Sequence, residues 1–238
     1  KKKLSPISIP LPPLAEQRRI VARLDELLPL VEAYGREQEQ LEQLEQDLPK
    51  KLRASILQQA IQGKLVPQHD DEPAVEQIGE APTEVPFEIP AKWKWAKLSN
   101  LGELIRGITF PASAKSKNLN EGAVRCLTTG SVQTLYKESS DVFVPQHFLK
   151  NKKQILKNGD IVISTANSRE LVGKSIYWNR DDSQLTFTFG GFLTVMRVSP
   201  DIHLDPYYLF FVIKHLFLNN FFESIATQTT NIANLSNK

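Results

Sequence analysis

Leu14-Ala15-Glu16-Gln17-Arg18-Arg19-Ile20-Val21-Ala22-Arg23-Leu24-Asp25-Glu26-Leu27-Leu28-Pro29-Leu30-Val31-Glu32-Ala33-Tyr34 opens the stretch from which the architecture is read. Ile20, Leu24, Leu27, Val31, Tyr34, Leu41, Leu48 and Leu52 recur in alternating steps of four and three, with Gln38 and Glu45 filling two seam positions. Such a stripe lines up apolar side chains along one edge of a helix and suits it to pair with another helix. The spacing predicts one long helix over 14–65. Leu44 and Ile56 fall off the strict repeat and predict a shifted contact face over the last turns. Pro29 and Pro49 each remove a backbone donor, so bends rather than a stop are expected there. Unbroken, the helix would span roughly 75 Å at about 1.5 Å per residue. The Glu/Gln run of 36–47 reads as a solvated face.

Beyond the helix, residues 66–90 carry five prolines and the acidic Asp70-Asp71-Glu72 cluster, with little periodicity. They read as an extended linker between a helical region, 1–65, and a second domain, 91–238. In that domain the pattern changes. Leu185, Phe187 and Phe189 alternate with Thr186 and Thr188; Asn158-Gly159-Asp160 turns into the apolar run from Ile161; Phe192 to Val198 is a further candidate strand. Asp205-Pro206 is an N-cap and first-turn pair for a helix expected to run to about Ala226, apolar on nearly every side until Asn219 and so suited to a core or an interface. The fold class expected is α+β, a long coiled-coil-forming helix followed by a globular domain.

The net charge of +2 hides an asymmetry. Residues 1–85 hold 11 Lys/Arg against 15 Asp/Glu, a balance of −4, and residues 86–238 hold 18 against 12, a balance of +6. The second part is therefore the plausible phosphate binder. The 41% apolar content supplies a buried core and excludes disorder as a whole. The single cysteine, Cys126, sits in an apparent strand, reads as a small buried hydrophobe and allows no internal disulfide, as expected of a cytoplasmic protein. The longest apolar run, Tyr207 to Ile213, falls far short of the roughly 20 residues of a membrane helix. No secretory signal is read at the N-terminus. Met196 is the only methionine, which fits a processed chain or a fragment of a longer frame.

Several chemistries are not written here. Gly173-Lys174-Ser175 has the ending of a phosphate-binding loop, but Ser168 stands where its first glycine should be. His69, His147, His203 and His215 are scattered without ligand spacing, so no metal site is expected. No Asn/Asp-Pro-Pro-aromatic tetrapeptide or adenosylmethionine loop is present, and Asp160-Ile161-Val162 lacks the Glu-X-Lys of a magnesium nuclease.

Five stretches of sequence carry a family resemblance. Ile9-Pro10-Leu11-Pro12-Pro13-Leu14-Ala15-Glu16-Gln17-Arg18-Arg19-Ile20, running into the helix that closes on Gly63-Lys64-Leu65, resembles the central conserved region of type I restriction-modification specificity (S) subunits. Trp93-Lys94-Trp95-Ala96-Lys97-Leu98, Gly159-Asp160-Ile161-Val162-Ile163-Ser164-Thr165, Phe189-Gly190-Gly191-Phe192 and Ala226-Thr227-Gln228-Thr229-Thr230-Asn231-Ile232 resemble pieces of its target recognition domain. The resemblance implies a non-catalytic, cytoplasmic subunit that reads one half of a bipartite DNA target and positions modification (methyltransferase) subunits, with a restriction subunit as a further partner. It implies no cofactor in this chain; adenosylmethionine, ATP and magnesium belong to the partner subunits. A full S subunit alternates two recognition domains with two helices. One helix and one domain here, with Thr229 to Leu235 resembling the lead-in to another Ile-Pro-Leu-Pro-Pro-Leu segment, are expected to make a half subunit. It would form an antiparallel homodimer through the stripe of Ile20, Leu24, Leu27, Val31, Tyr34, Leu41, Leu48 and Leu52. The alternatives are a coiled-coil adaptor whose globular domain binds protein, and the recognition portion of a fused restriction-methylation enzyme.

Reading a duplex needs side chains that fork hydrogen bonds onto base edges, set in a basic rim that grips phosphate. Three stretches hold such groups. The first candidate is the polar loop with Thr165, Asn167, Ser168 and Arg169, followed by Lys174; the second is Arg106 and Thr109 with Lys115 and Lys117; the third is Ser131 and Lys137, with Thr128, Thr129 and Gln133 nearby. Asn167 and Arg169 are expected on bases, and the lysines on backbone. Residues 226–231 read as a tight connection, with phosphate contact as the other possibility.

Overall fold

A computed structural model describes residues 9–180, 185–229 and 232–236. The chain divides into two compact units, Lys1–Arg53 and Ala54–Lys238. Helix α1 runs from Leu14 to Ile61 and carries both Pro29 and Pro49 inside it. It starts where Pro13 supplies a carbonyl to the Glu16 and Gln17 amides. It ends where Gly63 takes a left-handed φ of 68° and the Lys64 amide reaches back to the Gln59 carbonyl. Within the first unit every apolar residue of the stripe is exposed, from Leu27 at 38% to Tyr34 at 69%. The last turns differ, because Leu57 and Ile61 are buried in the second unit.

Residues 66–90 hold no regular element. They are nevertheless tied to the chain just after them: the Val75 amide donates to the Lys92 carbonyl, the Lys92 ammonium to the carbonyls of His69, Asp70 and Glu72, and Gln77 to the Trp95 carbonyl. Phe87 packs edge-on against Trp95, with ring centres 5.1 Å apart.

The second unit is built on a four-stranded antiparallel sheet in the order β1 (Gly102–Arg106), β8 (Leu193–Val198), β4 (Ile161–Ser164), β6 (Ser175–Tyr177), entered through the single-turn helix α2 (Leu98–Leu101). Strand alternation divides its side chains between two cores. Val162, Val195, Leu193 and Ile105 face one core with Trp178, Phe187 and Phe189, whereas Ile161, Ile163 and Met196 face another with Leu209, Phe210 and Ile213 of helix α3 (Pro206–Leu218). A sheet covered on both sides has strands without polar alternation, which is why Ile161-Val162-Ile163 reads as a continuous apolar run. A second sheet, in the order β3 (Val142–Pro145), β2 (Ala123–Leu127), β7 (Phe187–Phe189), pairs β2 with β7 in parallel. Cys126 lies in its core, fully buried, with its thiol pushed up to about 12, first by burial and then by the charge of Asp141. Such a thiol is inert in the native state. A third small sheet joins β5 (Ala166–Asn167), β10 (Ile232–Asn234) and β9 (Thr227–Thr229).

The mixed α+β class is as expected, and two local expectations are corrected. The helix from Pro206 stops at Leu218, because Asn220 adopts a left-handed φ of 57° that Asn tolerates and that separates α3 from the short α4 (Phe221–Ile225). The Asp205 carboxylate accepts from the Tyr207 amide at 2.8 Å and caps α3. Residues 166–167 are not loop but strand, held to Ala233 and Asn234 of the C-terminal hairpin. Thr230 and Asn231 lie outside the described residues.

Candidate nucleic-acid interface

The registers of the main sheet bring separate stretches of sequence to one end of it. Arg106 lies opposite Thr194, Thr194 opposite Ile163, Leu193 opposite Ser164, and Ile163 opposite Ser175. The end of β1, the start of β8, the end of β4 and the start of β6 therefore coincide. The second sheet arrives at the same place, since Leu127 pairs with Phe189 and the Gly190 amide donates to the Leu127 carbonyl at 2.9 Å. The three candidate stretches, far apart in sequence, leave the fold together. Lys174 fastens two of them directly by donating its ammonium hydrogen to the Gln133 side-chain oxygen.

The turn from β7 into β8 sits in the middle of this end. The Ile108 amide donates to the Phe189 carbonyl at 2.8 Å, and the Gly107 amide to the Leu193 carbonyl at 3.2 Å. Backbones pass so closely here that a Cβ on Gly107 would collide with the Gly190 peptide. On the other side the Phe192 carbonyl accepts from the amides of Thr165 and Ala166 and from the Thr165 hydroxyl, at 3.0, 3.2 and 3.3 Å. Phe189 is fully buried, while Phe192, three residues on, is 62% exposed.

Residues 128–141 form a loop stitched by one carboxylate. Asp141 accepts from the Ser131 hydroxyl at 2.6 Å, from Arg125 Nε at 2.8 Å and from the Tyr136 hydroxyl. Burial, and then Asp141, push the Tyr136 phenol upward and keep it a hydrogen-bond donor. Arg125 also pairs with Glu138 at 2.7 Å, and the Thr128 hydroxyl donates to the Ser140 carbonyl at 3.0 Å. The tip, with Leu135 80% exposed, projects from this frame.

The sequence-predicted residues divide on this geometry. Arg106, Thr109, Lys115, Lys117, Lys137 and Arg169 are exposed. Lys115 lies over the Phe110 ring, Lys117 reaches the Asp141 carbonyl at 3.5 Å, and Arg169 pairs with Glu223 of α4 at 2.8 Å. Asn167 and Ser168 are half-buried, with the Asn167 amide nitrogen donating to the Ser164 hydroxyl and its oxygen accepting from the Ser168 amide. Thr165 is turned toward Thr194 and Phe192. Ser131 is a correction: it is fully buried and its hydroxyl is spent on Asp141, so it shapes the loop instead of reaching a base. Lys174 is corrected in part, because its contact with Gln133 leaves it half-buried and desolvation lowers its pKa. Gly173, with φ of 86°, is needed where the Phe222 ring lies against it, which accounts for Gly-Lys-Ser without a phosphate.

Sequence reasoning missed Asp141, Arg125 and Tyr136, whose partners are set only by folding. Phe192 reads from sequence only as the first residue of a candidate strand; the paired Gly190-Gly191 beside it was the available signal. Among the described residues there is no cluster of His, Cys, Asp or Glu able to hold a metal, and no helix long and apolar enough to cross a membrane.

No family model matches the chain. It is similar to the type I restriction enzyme EcoEI specificity subunit of Escherichia coli, with 29% identity over 162 residues, covering 56% of this chain and 27% of that protein. It is similar also to the type I restriction enzyme StySPI specificity subunit of Salmonella potsdam, with 26% identity over 141 residues, covering 58% and 29%. The chain thus spans less than a third of the length of these relatives. The solved HsdS subunit of Thermoanaerobacter tengcongensis matches at 21% identity and a TM-score of 0.48, over 95% of this chain and 48% of that one. The resemblance read from the sequence is thus to the same kind of subunit that the comparisons return.

Proposed function

We propose that this chain, similar over more than half its length to type I specificity subunits, recognises DNA sequence within a type I restriction-modification complex. The observation that carries the reading is the convergence of three polar and basic stretches at one end of a rigid sheet. Duplex recognition requires that arrangement: groups that grip phosphate around groups that meet base edges, on a scaffold that does not move. The domain supplies binding and orientation. Methyl transfer, ATP use and cleavage belong to the modification and restriction subunits that it positions, and adenosylmethionine, ATP and magnesium belong with them.

Binding should fall steeply with salt, because each phosphate contact releases condensed counterions. Changing Lys115, Lys117 or Lys137 to alanine is expected to weaken binding to all duplexes and to flatten the salt dependence by about one contact's worth each. Fluorescence anisotropy from 50 to 200 mM salt measures this. Affinity insensitive to salt would overturn the reading in favour of a protein-binding adaptor.

The helix of the first unit has a separate role. Leu24, Leu27, Val31 and Leu41 lie exposed along one stripe of α1, and a lone helix of this kind is marginal in water. We infer that it pairs antiparallel with the same helix of a second copy, setting two recognition domains apart as a ruler does. The two-fold axis then demands an interrupted palindrome as target. Light scattering should give about twice the 26.9 kDa mass, and charged residues at Leu27 and Leu41 should return it to the monomer. A monomer for the unaltered chain at micromolar concentration would sink the pairing and leave the recognition role standing.

A further inference from the structure

We propose that Phe192 is a base-contacting residue, inserting an apolar ring among the bases while its polar neighbours grip the duplex; the inference rests on the DNA-recognition reading. Phe192 is the most exposed aromatic residue described in the globular unit, at 62%, against 47% for Tyr207 and 45% for Phe221. Burying this ring would release apolar surface from water, so its exposure favours a partner.

Its setting says which partner. The ring leaves the fold at the sheet end where Arg106 and Thr109 also emerge, with the Thr109 hydroxyl close to Gly191 beside it. A protein-binding hot spot centres on a broad apolar patch with charge depleted, whereas an exposed ring at an end that also carries exposed Arg106, Thr109 and Lys137 suits a groove of DNA. The turn beneath it is fixed. Its carbonyl accepts three hydrogen bonds from residues 165–166, the Leu193 amide donates to the Gly190 carbonyl at 2.8 Å, and Gly190 forms a bridge with Ile108. A ring held on rigid backbone loses little entropy on binding, which is the condition for a precise contact. Two kinds of base contact share this chemistry: packing on a thymine methyl, or wedging against the face of an unstacked base.

The experiment uses the chain assembled with its modification subunit and a pool of randomised duplexes. The unaltered complex should enrich a site. Phe192→Ala should lose roughly tenfold in affinity on that site, the cost of one lost base contact, with an unchanged salt slope because an apolar contact releases no counterions. Phe192→Leu should retain part of the affinity, and both variants should melt like the parent since the ring is not in the core. Replacing each thymine of the site by deoxyuridine distinguishes the contacts: loss at one position in the parent and not in Phe192→Ala identifies the methyl, and a 2-aminopurine signal present only with the ring identifies the wedge. Phe192→Ala binding the enriched site with parental affinity and preference would overturn the proposal alone. So would a variant that releases the modification subunit with DNA affinity intact. Failure of the parent to enrich any site would overturn the recognition reading, and this inference with it.

Discussion

Arg197→Ala should lower the unfolding free energy by about 3–5 kcal/mol, because it strands a carboxylate inside the fold. Asp160 is 1% exposed, and Arg197 holds both its oxygens, Nε to Oδ1 and a terminal nitrogen to Oδ2, each at 2.7 Å. The same guanidinium donates to the Ile155 carbonyl at 2.9 Å, and the Asp160 carboxylate accepts from the Lys157 amide at 2.8 Å. The pair pins the turn before β4 to the end of β8, across the centre of the sheet. Urea unfolding measures the loss. Arg197→Met combined with Asp160→Asn should cost clearly less than the two single changes added together, since no unpaired charge remains. A loss under about 1 kcal/mol for Arg197→Ala would show that the site takes up water and does not need the pair.

Asp141→Ala should produce a loss of similar size, about 3–5 kcal/mol, with a different distribution. Three donors lose their acceptor together: the Ser131 and Tyr136 hydroxyls and Arg125 Nε. Arg125 keeps Glu138, so the damage should concentrate in the loop and not in the sheets. Hydrogen exchange should speed up most at the amides of Ser131, Lys137 and Ser140, each bonded to a carbonyl inside the same loop. DNA affinity should fall more than for a core variant of equal cost, because the tip around Leu135 would no longer be presented on a fixed frame. Exchange that accelerates evenly over the unit would show that the carboxylate supports the core in general.

The long helix was legible because its signal is local: a repeat of sevens survives two prolines when the rest of each turn still hydrogen-bonds. Ile161-Val162-Ile163 was legible for the same reason, as four to eight apolar residues after a turn. What escaped depends on partners far away in sequence. Ala166-Asn167 has the composition of a loop and becomes strand only because the Ala233-Asn234 backbone arrives beside it. Ser131 looks like a hydroxyl available to a base until Asp141 folds over it. Phe189 and Phe192 flank the same two glycines, and nothing in their spacing tells which faces the core. The apolar character ends at Asn219 and the expected helix still runs on to about Ala226, although the two adjacent asparagines there mark the break.

The pairing of β1 with β8 places Gly102 opposite Val198, so the first strand of the domain meets its partner only after β2 to β7 have been made, with α3 and α4 still to come. Contacts this remote in sequence slow folding, since loop closure must come before any reward. On the ribosome, α1 emerges ahead of the domain that follows it, with its apolar stripe bare, then comes a strand with no neighbour, and the sheet cannot close until residues near 198 are clear of the exit. Until then two adhesive surfaces of the nascent chain stand open at once, the stripe of α1 and the unpaired edge of β1.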